Sequence, residues 1–356
     1  MYSEDIAPTE PESADRGQLS SDSRVSPKLI NRSRKLPEAQ QLLLSPSFPE
    51  HIKKMRHCVE ENYRVIQLII SHGSAMFGDT CRMREAMKRA QTTWCVSEHY
   101  MSKVRSTLKQ FVRDWSNEGA SERRACYSNV TEALCAHFPD RETRHEVQVL
   151  VPGAGLGRLA WNFVQEGFSV QGNEFSLFML LASNFILNQG LQAGEFTIYP
   201  YVLETCNNWS YEDQLRPVTF PDVSLTSDPE DRLNTFSMCA GDFLQVTKDD
   251  DFRWSAVVTV FFIDTAMNVI EYIETIHRIL KDGGIWINFG PLTYHFSDTD
   301  GALELPYDEI INLIKKKGFR FEEDRRSEAD FKALYASNQK SMLHYEYHCG
   351  FFKCIK

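Results

Sequence analysis

The residues best suited to chemistry in this 356-residue chain stand at the ends of apolar, strand-like runs. VQVLVP (147–152) feeds Gly153, Gly155 and Gly157, and a helical run opens at Arg158. Glycines at a strand-to-helix turn let the backbone bend sharply and let a ligand touch the main chain. Glu174 closes the next apolar run, where a carboxylate accepts hydrogen bonds from ribose hydroxyls. Its competing role is an acid favoured by the dipole of the helix that follows. Asp242 and Phe243 follow the third run: one suits an adenine amino group, the other the ring. Taken alone they are an ordinary Gly-Asp turn. Asp264 ends the fourth run, FFID. Ligands of open α/β sheets gather beyond the carboxyl ends of the strands, which places Asp264 in the reaction zone by topology. Its competing role is N-cap of a helix starting near Met267.

Two cofactor classes use such a glycine turn. Dinucleotide enzymes want G-x-G-x-x-G, with the helix N-terminus facing a pyrophosphate. Here the third glycine comes one position early and Arg158 occupies the dinucleotide slot. The G-x-G-x-G form is instead that of methyltransferases, which cradle no pyrophosphate. S-adenosylmethionine is therefore the expected co-substrate, and an NAD-linked enzyme is the disfavoured alternative. The nine cysteines show no CxxC pairs, so no zinc site is expected and no metal is implied.

These residues need a scaffold that lines up strand ends. Strand-like runs alternate with helical ones from residue 146 onward, which predicts an α/β fold with a parallel sheet. The expected architecture is a seven-stranded Rossmann-like class I methyltransferase sheet. FRFEE and the terminal YEYHCGFFKCIK read as a last, paired couple of strands at the sheet edge. Residues 48–145 read as a helical block, with apolar residues such as Ile52, Met55, Val59, Ile66 and Ile70 recurring at threes and fours. Residues 1–47, rich in Ser, Pro and charge, read as a disordered tail. Residues 146–356 form the methyltransferase domain, interrupted by a less regular insertion at about 195–233.

Net charge is −10 with no concentrated basic patch, which argues against a nucleic-acid substrate. No apolar run reaches membrane-spanning length and the N-terminus has no secretory pattern. Scattered cysteines suit a reducing compartment, so cytosol or nucleus is the expected location.

The blocks VLVPGAGLGRLAW, QGNEFS-FML, AGDF, FFIDTA-NVI-YI-TI and GGIWINFGPL-YHF, in this order, resemble the carnosine N-methyltransferase family over roughly residues 50–356. That family methylates the imidazole of β-alanyl-histidine to give anserine. The resemblance implies cofactor binding by Gln110, Arg113, Gly153, Glu174, Asp242 and Phe243, with Gly155 in the same turn. It implies carnosine binding by Asp264, His295, Tyr345 and Tyr347, and a homodimer. The family's C-terminal block is richer in consecutive tyrosines; Glu346 departs from it here. Strand alternation would put Tyr345 and Tyr347 on one face.

The chemistry implied is in-line transfer of a methyl group to an imidazole nitrogen. Alignment alone is worth ~7–11 kcal/mol. Asp264 is expected to accept the N–H of the non-reacting nitrogen, the part a carboxylate plays beside a catalytic histidine. His295 is expected to hydrogen-bond the substrate. The alternatives are a protein or peptide histidine methyltransferase, and a catalytically silent cofactor-binding partner.

Overall fold

The computed structural model describes residues 27–73, 98–225, 232–326 and 331–356. The remainder of the expected tail, and the part of the second helical run before residue 98, lie outside the described residues. Contacts divide the chain into two compact units, Met1–Val59 and Glu60–Lys356. The first holds α1 (Pro27–Arg34), α2 (Glu38–Leu44) and the start of α3 (Ser47–Gly73). Helices thus occur inside the stretch whose composition suggests a tail. α2 buries no residue, and Leu42 and Leu43 are exposed.

The second unit is built on a sheet whose strands are β1 (Gln148–Pro152), β2 (Ser169–Glu174), β5 (Phe236–Ala240), β6 (Trp254–Val260), β7 (Leu280–Gly290), β8 (Arg320–Arg326) and β11 (Gly350–Ile355). Their order is β5-β2-β1-β6-β7-β11-β8. The first five run parallel, while β11 runs antiparallel to both neighbours. This is the mainly parallel seven-stranded sheet expected. The final pair falls at one edge, with β11 inserted between β7 and β8. Chain order reverses between β1 and β6, and a ligand crevice forms where an open sheet switches direction.

Side-chain alternation explains the two covered faces. Val149, Val151, Ala256, Val258, Ile285 and Ile287 enter one core with α5 (Ala120–His137) and α6 (Arg158–Gln165). Leu150, Val257 and Trp286 enter the other, with α10 (Val269–Ile279) and α11 (Tyr307–Lys317). Full burial of each such side chain stabilises by ~1.5–3 kcal/mol. Cys126, Val130 and Leu134 of α5 are wholly buried against the sheet. The sheet core therefore extends back past residue 145, into the segment expected as a separate helical block.

A third cluster joins α4 (Glu98–Trp115) to α7 (Leu177–Asn188) and to a small hairpin of β3 (Phe196–Ile198) and β4 (Val218–Phe220). That hairpin, with the short α8 (Tyr211–Gln214), occupies the expected insertion. α10 stops at Ile279, and Gly283 and Gly284 fall inside β7, where the β6–β7 register shifts between Trp254 and Ala256.

Candidate functional site

The glycine turn leaves β1 with Gly153, Gly155 and Gly157 all at positive φ (66°, 55° and 80°). At Gly153 a side chain has no room: a Cβ would lie 2.6 Å from Cδ2 of Phe262. At Gly155 only conformation demands glycine, since a Cβ would come no nearer than 3.5 Å to Gln110 Nε2 and 3.7 Å to Asp114 Oδ2. The Glu174 carboxylate at the end of β2 braces the turn. Its Oε2 accepts the Gly155 N–H at 2.8 Å, and its Oε1 accepts those of Phe175 and Ser176 at 2.9 and 2.8 Å. Burial pushes this carboxyl up, and the three N–H groups pull it back. A carboxylate has about four lone-pair positions, so little capacity remains for ribose hydroxyls.

The helical block reaches the turn through the last two turns of α4. Gln110 Nε2 donates to Asp114 Oδ2 at 2.8 Å. Arg113 stands behind this pair. Its Nη1 donates to Asp114 Oδ1 (2.8 Å) and to the Tyr127 hydroxyl (2.6 Å), and its Nε lies 3.1 Å from Glu122 Oε1. Gln110 therefore faces the glycine turn, whereas Arg113 holds the carboxylate beside it. Asp114 was not singled out in the sequence; its signal is the i, i+4 spacing from Gln110 within KQFVRD.

Two further contacts lock α4 to the turn: Trp115 Nε1 donates to Leu156 O at 3.1 Å, and Arg158 Nη1 donates to Asp114 O at 3.0 Å. Arg158, the residue in the dinucleotide slot, also shares the buried Asp222 carboxylate with Arg123.

Beyond β5, the Asp242 side chain accepts the Gln245 N–H at 3.2 Å and caps the short α9 (Phe243–Val246). Its residue is exposed, while Phe243 is 3% exposed and packs edge-on against Phe262 and Tyr272. Phe243 is thus a core ring. Phe175, directly after Glu174, is 75% exposed and is the freer ring at this end of the sheet.

Asp264 lies in a single turn, Ile263–Thr265, just past β6 and is buried. Its Oδ2 accepts the Thr293 N–H at 2.8 Å, and its backbone carbonyl accepts the His295 N–H at 3.1 Å. Burial raises the carboxyl above its usual range; the Thr293 N–H and the nearby His295 act in the opposite direction. The N-cap role belongs to Asn268, whose Oδ1 accepts the Ile270 N–H at 3.1 Å. Asp264 is thus free of that structural duty, and His295 is brought beside it by the loop after β7.

Phe261 adopts φ 52°, an uncommon conformation for a non-glycine residue. Its ring centroid lies 4.8 Å from that of Tyr335 and 5.7 Å from that of Tyr347. The Arg113 guanidinium stands 4.5 Å over the Tyr335 ring, so Tyr335 joins Arg113 to Phe261. No motif marks Phe261 or Tyr335 in the sequence. Tyr347 begins β10 (Tyr347–His348), which pairs with β9 (Lys332–Ala333). Tyr345 precedes that strand and is 70% exposed, so the strand-alternation argument for it does not hold.

Among the described residues, no group of three or more His, Cys, Asp or Glu is placed to hold a metal ion, and no helix is long and apolar enough to cross a membrane. A family model described as Carnosine N-methyltransferase matches residues 90–356. The mouse carnosine N-methyltransferase is 43% identical over 330 residues, covering 91% of this chain and 80% of that protein. The fission-yeast protein of the same name is 38% identical over 334 residues, covering 89% and 86%. Among solved structures, the magnesium protoporphyrin IX methyltransferase of Synechocystis is 11% identical at a TM-score of 0.41, covering 73% of this chain and 100% of that one.

Proposed function

The chain belongs to the carnosine N-methyltransferase family, and from that premise we propose how its residues methylate the imidazole of carnosine with S-adenosylmethionine. The enzyme is an S-adenosylmethionine-dependent carnosine N-methyltransferase. In the proposal, the co-substrate lies over the Gly153–Gly157 turn, against Gln110 and the Glu174 carboxylate, with its adenine toward Asp242 and Phe243. The bare Cα of Gly155 beside Gln110 and Asp114 supports that placement.

S-adenosylmethionine supplies the methyl group as a sulfonium. Everything else falls to the protein. The neutral imidazole must present one lone pair in line with the C–S bond and keep its proton on the other nitrogen. The Asp264 carboxylate accepts that N–H, fixing the tautomer and steadying the positive charge that the ring gains as the C–N bond forms. It then takes the ring proton. Phe261, Tyr335 and Tyr347 form an aromatic wall that excludes water and favours the cationic ring. His295 hydrogen-bonds the substrate, and Tyr345 contributes from the rim.

The observation that carries this reading is the state of Asp264. Its Oδ2 is anchored by Thr293, while its Oδ1 takes no hydrogen bond from another described residue. The carboxylate also takes a hydrogen bond from its own backbone N–H, and with about four lone-pair positions it keeps acceptor capacity for a further N–H. The same proposal includes anserine as product, a homodimer, and action in the cytosol or nucleus; Cys126, Cys135, Cys206, Cys239, Cys349 and Cys354 are free thiols, which suits a reducing compartment. Purified protein, carnosine and labelled S-adenosylmethionine test it: labelled methyl on the imidazole is expected, and cofactor binding without transfer would overturn it.

A further inference from the structure

A second concavity adjoins the Asp264 site, and none of the roles assigned above uses it. β7 ends at Gly290 and the chain continues through Pro291 and Leu292 to Thr293, the residue that anchors Asp264. Pro291 and Leu292 also form one wall of an open groove of about 440 Å³. Tyr307, Asp308 and Arg326 line the rest, with His348. The Tyr307 ring lies across Gly350, where a Cβ would sit 2.2 Å from it.

The polar groups here are only partly engaged. Asp324 grips Arg326, with Nε donating to Oδ1 at 3.3 Å and Nη2 to Oδ2 at 2.8 Å. Tyr307 supports the pair: its hydroxyl donates to Asp324 Oδ1 at 3.1 Å, and its ring lies 5.0 Å below the guanidinium. A guanidinium has more donors than one carboxylate engages. Nη1 of Arg326 makes no hydrogen bond among the described residues, so a held fork presents a spare edge. Asp308, in the first turn of α11, is exposed and forms no ion pair among the described residues.

We infer that this groove is the subsite for the charged tail of the dipeptide, with Asp308 taking the β-alanyl ammonium and Arg326 the carboxylate. The inference rests on the carnosine reading of the Asp264 site. Beyond its imidazole, carnosine carries one cation, one anion, a peptide bond and three methylenes, two of them in the β-alanyl arm. The groove offers one spare acceptor, one spare fork of donors and an apolar wall. Leu292, a wall of the groove, is joined in the chain to Thr293, whose N–H anchors Asp264. Charge-assisted hydrogen bonds of this kind are the strong ones, and a bidentate guanidinium adds geometry to charge. The subsite would make the enzyme a reader of the whole zwitterion rather than of imidazole alone.

The test is steady-state kinetics of Asp308→Asn and Arg326→Gln with carnosine, N-acetylcarnosine and carnosine amide. Asp308→Asn is expected to raise the KM for carnosine about tenfold and to leave kcat, the KM for S-adenosylmethionine and the KM for N-acetylcarnosine at their wild-type values. Arg326→Gln is expected to do the same for carnosine while sparing carnosine amide. Equal KM shifts for carnosine and the matching blocked analogue, or no shift at all, would overturn the subsite while wild-type turnover left the Asp264 site standing. A wild-type enzyme that fails to methylate carnosine would instead overturn the reading on which the subsite rests.

Discussion

Glu174 Oε2 accepts the Gly155 N–H at 2.8 Å, so the carboxylate proposed to meet the co-substrate also shapes the loop beneath it. With Oε1 holding Phe175 and Ser176, every described bond to this carboxylate is an N–H donor. Glu174→Gln turns one oxygen into an amide NH2 and sets donor against donor. The unmet group costs about 1–3 kcal/mol. A loss of S-adenosylmethionine affinity of about tenfold or more is expected by calorimetry, together with a lower melting temperature.

The two glycines of the turn are separable. Gly153→Ala adds a Cβ 2.6 Å from Phe262 to an unfavourable φ. Overpacking costs about 1–3 kcal/mol and the left-handed backbone ~1–2 more. Gly155→Ala meets only the backbone term, because the nearest atom is 3.5 Å away. Denaturant melts should therefore rank Gly153→Ala well below Gly155→Ala. Calorimetry should show Gly155→Ala losing cofactor affinity out of proportion to its small stability loss.

Asp222 is one buried carboxylate between two buried arginines, Arg123 and Arg158. Removing it leaves two cations without it, a change that typically costs about 3–5 kcal/mol. Asp222→Ala should melt far below wild type, whereas an exposed pair such as Lys317–Glu274 should cost less than about 1 kcal/mol when cut.

Asp264 should link activity and stability in opposite directions. Its carboxyl is raised by burial, so it releases its proton at a higher pH than a free aspartate. Only the ionised form can both accept the imidazole N–H and take its proton, so kcat should rise with pH through this raised value and then level off. kcat/KM should carry a further limb from carnosine's own imidazole, near about pH 6.5. For stability the sign reverses. The contribution of the protonated group is complete below the unfolded pKa and is lost as pH rises through the raised folded one. Asp264→Asn keeps an acceptor for Thr293 without the buried charge. It should melt at or above the wild-type temperature near pH 7 while kcat falls by about 10² or more.

The fold was legible because its signals are local. The near-continuous apolar run SAVVTVFFID, the glycines after β1 and the apolar face of α10 each follow from neighbours in the chain. The glycine turn and Glu174 were found the same way. What escaped depends on contacts distant in sequence. Asp114 matters because α4 docks on the turn through Trp115 and Arg158. Tyr335 and Phe261 meet only after the sheet has formed. Tyr345 stands before a strand that begins two residues later, and Phe243 packs against Phe262 and Tyr272, contacts that no local pattern marks.

The most direct test of the account is the regiochemistry of methyl transfer. Wild-type protein and Asp264→Asn would be given carnosine and 13C-methyl-labelled S-adenosylmethionine, with the methylated nitrogen assigned by NMR. The account predicts one N-methyl isomer from wild type, and a collapse of rate or a mixture of isomers from Asp264→Asn. A wild-type mixture, or an Asp264→Asn variant that makes the same single isomer at the wild-type rate, would contradict it.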